Sequence, residues 1–270
     1  MRLLVCDNPD KKEAVVEVAH EALLTHWPRL KDWIEERFDD FRLLRQVRQE
    51  AAEWARRSWI ESHLWRHERL EPVYAMLKRL QPTLSEVEQD FIRPEAERLV
   101  EKLQLELTHQ QRESIGLRLA EIDDPRPGVG LKNYLPGLVW LPVRGGKITL
   151  EGNAGTFPVT PFYISKYPVT WVQYRSFLKA SDGYCNKGWW KRLADRQGKP
   201  GQQYRQIDNH PAENVSWYDA VAFCRWLSER LGYEIRLPTE WEWQQAATGG
   251  DPTNVYPWGP DWNSAYANTL

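Results

Sequence analysis

The sequence has few of the residues that thiol chemistry requires. Its 270 residues contain three cysteines, Cys6, Cys185 and Cys224, which lie far apart and form no CxxC pair. This spacing is typical of free thiols in a reducing compartment and does not suggest a disulfide framework. We therefore expect a cytoplasmic protein.

Long apolar runs and an excess of charge of one sign are also absent. No stretch reaches the roughly 18 apolar residues of a membrane span. The first residues, "MRLLVCDNPDKK", lack the apolar length and the cleavage site of a signal peptide. The net charge is −2, so no basic field favours nucleic acid or an anionic membrane as a partner.

Tryptophan is abundant, and its distribution divides the chain. Ten of the fifteen tryptophans follow residue 136. From about Val15 to Leu107, apolar residues recur at three- and four-residue spacing, which predicts helices. Pro28, Pro72 and Pro82 are predicted to start or break helices. Before them, "RLLV" and "VVEV" are predicted strands around a turn. "DDPRPGVGLKNYLPG", residues 123–137, is rich in Pro and Gly and is predicted to be a linker.

The second part alternates short strands with helices that begin in the same way. "LVWLPVR", "KITLEG", "FPVTPFYISK" and "YEIRL" predict strands. Helix starts are predicted at Thr170, Ser216 and Thr239, because each is followed three residues later by a side chain that completes a cap. Gly232 is predicted to end the second of these helices. Its inward stripe is predicted to be Trp217, Ala220, Val221, Cys224, Leu227 and Leu231.

Glu240 and Glu242, in "RLPTEWEWQQAATGG", could be a catalytic pair of acids or part of a helix start. A catalytic pair needs two carboxylates that face one bond. Thr239 and Glu242 have the spacing of a capping box, and acids are favoured in the first helical turn. We therefore interpret both acids as structural.

Four phrases, "YPVTWVQYRSFL", "HPAENVSWYDAVAFCRWL", "RLPTEWEWQQAATGG" and "YPWG", resemble the formylglycine-generating enzyme (sulfatase-modifying factor) family in order and spacing. The resemblance implies an α+β, C-type-lectin-like domain. "VEVAHEALLTHWPRLKDWIEE" resembles the segment after the nucleotide-binding module of bacterial STAND-type NTPases. The expected organisation is a mostly helical, STAND-associated region at 1–110, a helix end and linker at 111–136, and a sulfatase-modifying-factor-like domain at 137–270 without its C-terminal third.

The same resemblance sets the expectation for activity. Catalytic members of the family oxidise a sulfatase cysteine or serine to formylglycine with a copper ion held by two cysteines. That pair would lie beyond Leu270, and copper(I) needs soft thiolates. We therefore expect no catalytic residue and no cofactor in this chain, and a recognition module of a bacterial STAND-type signalling protein. The alternative is the front part of a copper- or iron-dependent oxidase, with its catalytic residues after Leu270.

Two possible metal sites have incomplete sets of ligands. The resemblance implies that Asn268 and the carbonyl of Thr269 correspond to the first ligands of a family calcium site. Calcium takes six to eight oxygens, so calcium is expected only if the domain is completed. His63 and His67 are four residues apart on a predicted helix, but no third zinc ligand is evident. We interpret these two histidines as solvent-facing.

Residues 182–206 form a long loop rich in aromatic and basic side chains. Long loops in compact domains are often functional, and Trp189, Trp190 and Tyr204 are the predicted contacts for an unknown protein or small ligand. The alternative is that these rings pack the loop onto its own domain. An incomplete domain also predicts self-association through exposed strand edges.

Overall fold

A computed structural model describes the chain at residues 4–7, 15–18, 27–150, 154–194, 199–251 and 253–267. The chain divides into two compact units, Met1–Glu95 and Ala96–Leu270. Within the ranges above, no helix is long and apolar enough to cross a membrane.

The first unit contains a hairpin followed by helices. Strands β1 (Leu4–Asp7) and β2 (Val15–Val18) pair antiparallel, which confirms the two strands predicted there. The described residues of this unit include the helices α1 (Pro28–Arg56), α2 (His67–Leu80) and α3 (Glu86–Phe91), and α4 (Glu95–Lys102) begins at its last residue.

Apolar residues at helical spacing build the core of the first unit. Val47 and Ala51 of α1 are fully buried with Leu70 and Val73 of α2. Trp65 meets Phe91 edge-on at a centroid distance of 5.4 Å. The three- and four-residue periodicity therefore marks the buried face correctly, as expected of packed amphipathic helices.

Three predictions about this unit can be compared with the structure. Pro28 lies in the first turn of α1, as predicted. Pro72 neither starts nor ends a helix, because it lies inside α2, where it lacks the N–H that would donate to the Glu68 carbonyl. His63 and His67 do not share a helix. His63 ends a short 3-10 turn, Glu61–His63, whereas His67 is the first residue of α2.

Where the structure describes the second unit, its strands form three antiparallel pairs. The pairs are β3 (Leu131–Lys132) with β4 (Leu135–Pro136), β5 (Trp140–Val143) with β8 (Phe162–Ser165), and β6 (Gly146–Thr149) with β7 (Thr156–Val159). The strands predicted from "LVWLPVR", "KITLEG" and "FPVTPFYISK" are confirmed.

The strand predicted from "YEIRL" is wrong, because residues 233–237 are not part of a strand. The Ser228 hydroxyl explains the difference. It donates to the Ile235 carbonyl at 3.0 Å and accepts the Ile235 N–H at 2.8 Å. A side chain therefore satisfies the backbone groups that a neighbouring strand would otherwise pair.

The helices of the second unit are α5 (His109–Glu121), α6 (Trp171–Lys179), α7 (Trp217–Leu231) and α8 (Glu240–Thr248). All three predicted helix starts are confirmed. The Gln173 side chain accepts the Thr170 N–H at 3.1 Å, and the Ser216 hydroxyl accepts the Asp219 N–H at 3.1 Å. Gly232 ends α7 with φ 76°, a conformation that costs glycine little.

An aromatic core lies between α6 and α7. Phe177 is fully buried, and five aromatic rings lie around it at centroid distances of 5.3–6.0 Å. The inward stripe predicted for α7 is partly wrong. Trp217 is 60% exposed, whereas Asp219, Phe223 and Trp226 are buried. The inward position of Asp219 is explained by Trp190, whose indole N–H donates to its carboxylate at 3.2 Å.

Residues 123–137, predicted as a linker, pack against α6. The Gln173 amide donates to the carbonyls of Gly128 and Gly130 at 3.0 and 3.1 Å. The Thr170 hydroxyl donates to the carbonyl of Val129, a buried residue, at 2.7 Å. The prolines and glycines of this segment therefore belong to a backbone that is irregular but packed. The predicted division at 110, 111–136 and 137 stays a prediction.

A polar clasp also fastens α5 within the second unit. The Asn209 amide donates to the carbonyl of Gly116 in α5 and to Asp124, both at 2.8 Å. Arg126 in turn donates to Asp124 at 2.9 Å. These bonds connect α5, the start of the segment 123–137 and the loop that holds Asn209.

Candidate functional site

Glu242 is a buried structural acid. It is 6% exposed, and each of its two carboxylate oxygens accepts a hydrogen bond from an Arg236 nitrogen at 2.7 Å. It also accepts the Thr239 N–H at 2.8 Å, which completes the predicted capping box. The pKa of Glu242 is lowered to about 2, mainly because of the hydrogen bonds from Arg236. Glu240 is exposed in the first turn of the same helix, so the predicted helix start and its capping box are confirmed.

Replacing Glu242 with glutamine should lower the free energy of unfolding by about 2 kcal/mol at pH 7, because Arg236 would lose a charged partner. Arg236 is half-exposed, which keeps this value modest. Since the folded pKa of Glu242 is depressed to about 2, its contribution is complete above about pH 4.5 and is lost as the pH falls towards 2. The difference between the two proteins should therefore shrink over that window.

Urea unfolding between pH 2 and pH 7 measures this difference. The matched control is Glu240→Gln in the same helical turn, where only the interaction with the helix dipole changes and the effect should stay near 0.5 kcal/mol. A Glu242→Gln effect that does not change with pH would contradict the assignment.

An apolar groove of about 500 Å³ lies beside this ion pair. Apolar side chains from four parts of the unit line it: Leu138, Phe162, Ile164, Val169, Phe223 and Ile235. Arg236 and Glu242 also line it, and the Trp140 indole N–H donates to the Tyr233 hydroxyl at 3.0 Å beside it. Its volume lies in the range typical of ligand pockets, which are mostly apolar with a few polar groups.

The two thiols that the structure describes, those of Cys185 and Cys224, lie in different environments. Cys224 is buried at the groove, and burial raises its pKa to about 11, so it stays protonated at neutral pH. A protonated thiol is neither a nucleophile nor a good metal ligand. Cys185 is exposed. Among the residues whose positions the structure gives, no cluster of three or more His, Cys, Asp or Glu could hold a metal ion.

The three aromatic residues of the loop have different environments. Trp190 is 5% exposed and stacks on Phe177, so its ring belongs to the core and offers no contact area to a ligand. The Trp189 indole donates to the Asp182 carbonyl at 2.6 Å and is half-buried. Tyr204 is 73% exposed. A ligand role for Trp189 and Tyr204 stays a prediction.

The predicted calcium ligands, Asn268 and Thr269, lie outside the described residues. Calcium binding therefore stays a prediction.

Sequence reasoning did not find the groove. It is assembled from residues within 138–140, 162–169, 223–224 and 233–242, and no local pattern connects these ranges. The one available signal is the alternation of apolar and charged residues at 233–237, which predicts a strand.

Residues 132–270, more than half of the chain, match the family described as "Sulfatase-modifying factor enzyme 1-like domain". The chain belongs to this family, and its second unit has the C-type-lectin-like α+β fold that the four sequence phrases predicted. Residues 1–61 match a second family, "Novel STAND NTPase 1". The resemblance to STAND-type NTPases is thereby confirmed for the start of the chain.

Curated relatives include proteins named as active and as inactive. A formylglycine-generating enzyme of Thermomonospora curvata is 32% identical over 141 residues, which are 40% of this chain and 44% of that protein. An "Inactive C-alpha-formylglycine-generating enzyme 2" of Bos taurus is 34% identical over 141 residues, 40% of this chain and 45% of that protein. The formylglycine-generating enzyme of Bos taurus is 45% identical over 141 residues, 40% of this chain and 36% of that protein. The chain thus spans less than half the length of these relatives. No solved structure matches the chain.

Proposed function

We propose that residues 1–270 form a non-catalytic recognition module of a STAND-type signalling protein, in which the lectin-like unit binds a polypeptide or small ligand. The observation that carries this proposal is the apolar groove of about 500 Å³ beside the Arg236–Glu242 pair. It is a surface suited to binding, and the thiol that lines it, Cys224, is held in its inert form.

The match of residues 1–61 to a STAND NTPase family supports the signalling context. In that context, a ligand bound by the lectin-like unit would regulate an NTPase. The free thiols Cys185 and Cys224 support a reducing compartment, which we propose to be the bacterial cytoplasm.

The second candidate is an oxidase that converts a sulfatase cysteine or serine to formylglycine. The relatives named formylglycine-generating enzyme favour it, whereas the relative named inactive favours recognition. In this alternative, the metal ligands come from polypeptide outside residues 1–270, because the environments of Cys185 and Cys224 do not suit copper(I).

Incubation with copper, oxygen and a sulfatase-derived peptide distinguishes the recognition module from the oxidase. We expect no formylglycine by mass spectrometry above the level of a Cys185→Ser, Cys224→Ser double variant. Competition with a coloured copper(I) chelator should likewise show no difference between the two proteins. Formylglycine formation by the unaltered chain alone would overturn the non-catalytic proposal.

A further inference from the structure

Helix α5 has little stability of its own. It has 13 residues, with Gly116 near its middle. An isolated helix shorter than about 12–15 residues is marginal in water, and glycine inside a helix is less favourable than alanine. Residues 109–114 are exposed, whereas Leu119 is buried. The helical state of α5 therefore depends on its contacts with the rest of the second unit.

A side chain outside the helix bonds its middle. The Asn209 amide donates to the Gly116 carbonyl at 2.8 Å, and a helical carbonyl can accept this second hydrogen bond because its oxygen has two lone pairs. At the start of α5, the His109 Nε2 atom lies 3.1 Å from the Ser264 carbonyl oxygen. Both residues are exposed there, so water competes for this bond and it contributes little. Asn209 is half-buried and therefore makes the stronger attachment of the two.

The loop of residues 203–213 has its two ends tied together. Gln203 is 4% exposed. Its amide donates to the Arg205 carbonyl at 2.9 Å, and its side-chain oxygen accepts the Glu213 N–H at 2.8 Å. The Glu213 carboxylate accepts the N–H groups of Tyr204 and Arg205, both at 3.1 Å. Side chains thus hold the backbone of this loop closed.

The same loop fixes the position of Asn209. The carbonyls on either side of it, those of Asp208 and His210, accept the N–H groups of Val172 and Trp171 at 3.0 and 2.6 Å. These N–H groups belong to the first turn of α6, where a helix leaves its donors free. The loop backbone therefore caps α6, and the side chain between the two bonds reaches α5.

We propose that α5 is a conditional helix, which stays folded on the lectin-like unit while the 203–213 loop is closed and detaches when the loop opens. Asn209 is the positioning residue that connects the two, since its place depends on the loop and its amide bonds the helix. Tyr204 is 73% exposed on the same loop. A ligand that binds the closed loop would therefore stabilise α5 by the same factor by which folded α5 strengthens its binding. The inference rests on the proposed recognition function and names the element that ligand binding would regulate.

Hydrogen exchange of the α5 amides, measured by mass spectrometry on the whole chain, tests the coupling. Gln203→Ala opens the loop without touching α5 and should speed this exchange at least about tenfold, as should Asn209→Ala. In the Asn209→Ala background, Gln203→Ala should change the exchange by less than about twofold, because the connection is already lost. The control is Asn186→Ala, since the Asn186 side chain accepts the Gly188 N–H in another loop of the unit. Exchange in α5 should stay within about twofold of the unaltered chain there.

Gly116→Ala tests the weakness of the helix and keeps the carbonyl that Asn209 bonds. Beyond the helix itself, no atom of the described residues lies within 4 Å of a Cβ atom placed there, so the added methyl group meets no obstacle. The gain in helix propensity should slow exchange in α5 about fivefold, both in the unaltered chain and beside Gln203→Ala. Exchange that stays the same would mean that α5 does not open by losing its helix, which would overturn the proposal.

Additive effects of Gln203→Ala and Asn209→Ala, or an α5 that Gln203→Ala leaves unchanged, would overturn it as well. The amides of α7 report whether a variant is folded. If Gln203→Ala is not, Glu213→Ala takes its place, because it opens the same loop by freeing the N–H groups of Tyr204 and Arg205. Formylglycine formation is measured separately. It would overturn the non-catalytic proposal and leave the coupling intact, whereas loss of the coupling leaves the non-catalytic proposal standing.

Discussion

Replacing Phe177 with alanine should lower the free energy of unfolding of the lectin-like unit by about 3–5 kcal/mol. The Phe177 ring is fully buried among the rings of α6, α7 and the loop. Its removal leaves a cavity that the surrounding rings cannot fill without leaving their own contacts, because protein cores are close-packed. Contacts with Tyr184 and Trp190 would also be lost, which should loosen the loop that holds them.

Hydrogen exchange followed by mass spectrometry under mild denaturant measures this effect in each unit separately. Protection should fall in α6 and α7 and stay unchanged in α1 and α2. The control is Tyr204→Ala, since Tyr204 is an exposed aromatic of the same unit and its removal should change stability by at most about 0.5 kcal/mol. A loss below about 1 kcal/mol for Phe177→Ala would contradict a packed core at this position.

Replacing Gln173 with alanine should lower the free energy of unfolding by about 3 kcal/mol, because it leaves two buried backbone groups without a partner. These are the Thr170 N–H and the Gly128 carbonyl, whereas the Gly130 carbonyl keeps its hydrogen bond from the Gly137 N–H. The loss should be greatest where residues 123–137 meet α6, since Gln173 is the side chain that joins them.

The matched control is Gln244→Ala on α8, where a glutamine makes one hydrogen bond, at 3.1 Å, to the carbonyl of Thr149. We expect a cost of about 1 kcal/mol there. Limited proteolysis gives a second measurement, because Gln173→Ala should expose residues 123–137 to cleavage. Equal effects of the two substitutions would show that the buried network around Gln173 does not hold that segment.

The local features of this fold could be predicted from the sequence. Helix caps depend on side chains three residues apart, so Thr170, Ser216 and Thr239 could each be identified within a single short stretch. The same holds for the strands, since a short run with turn signals on both sides is enough. The family resemblance then gave the fold class, which no local pattern contains.

What could not be predicted depends on distant partners. Trp190 was expected to contact a ligand, but its buried bond to Asp219 is made across 29 positions of the sequence. Asp219 therefore lies on the buried face of α7, whereas Trp217 is exposed. The groove has the same origin, because its lining comes from four separated stretches.

The clasp of Asn209, Asp124 and Arg126 has a mechanical consequence for α5. The Asn209 amide donates to the carbonyl of Gly116 as well as to Asp124. These two hydrogen bonds hold α5 rigidly against the rest of the lectin-like unit. A force applied to α5 is carried directly into the loop that holds residue 209, and a shift of that loop displaces the helix in return.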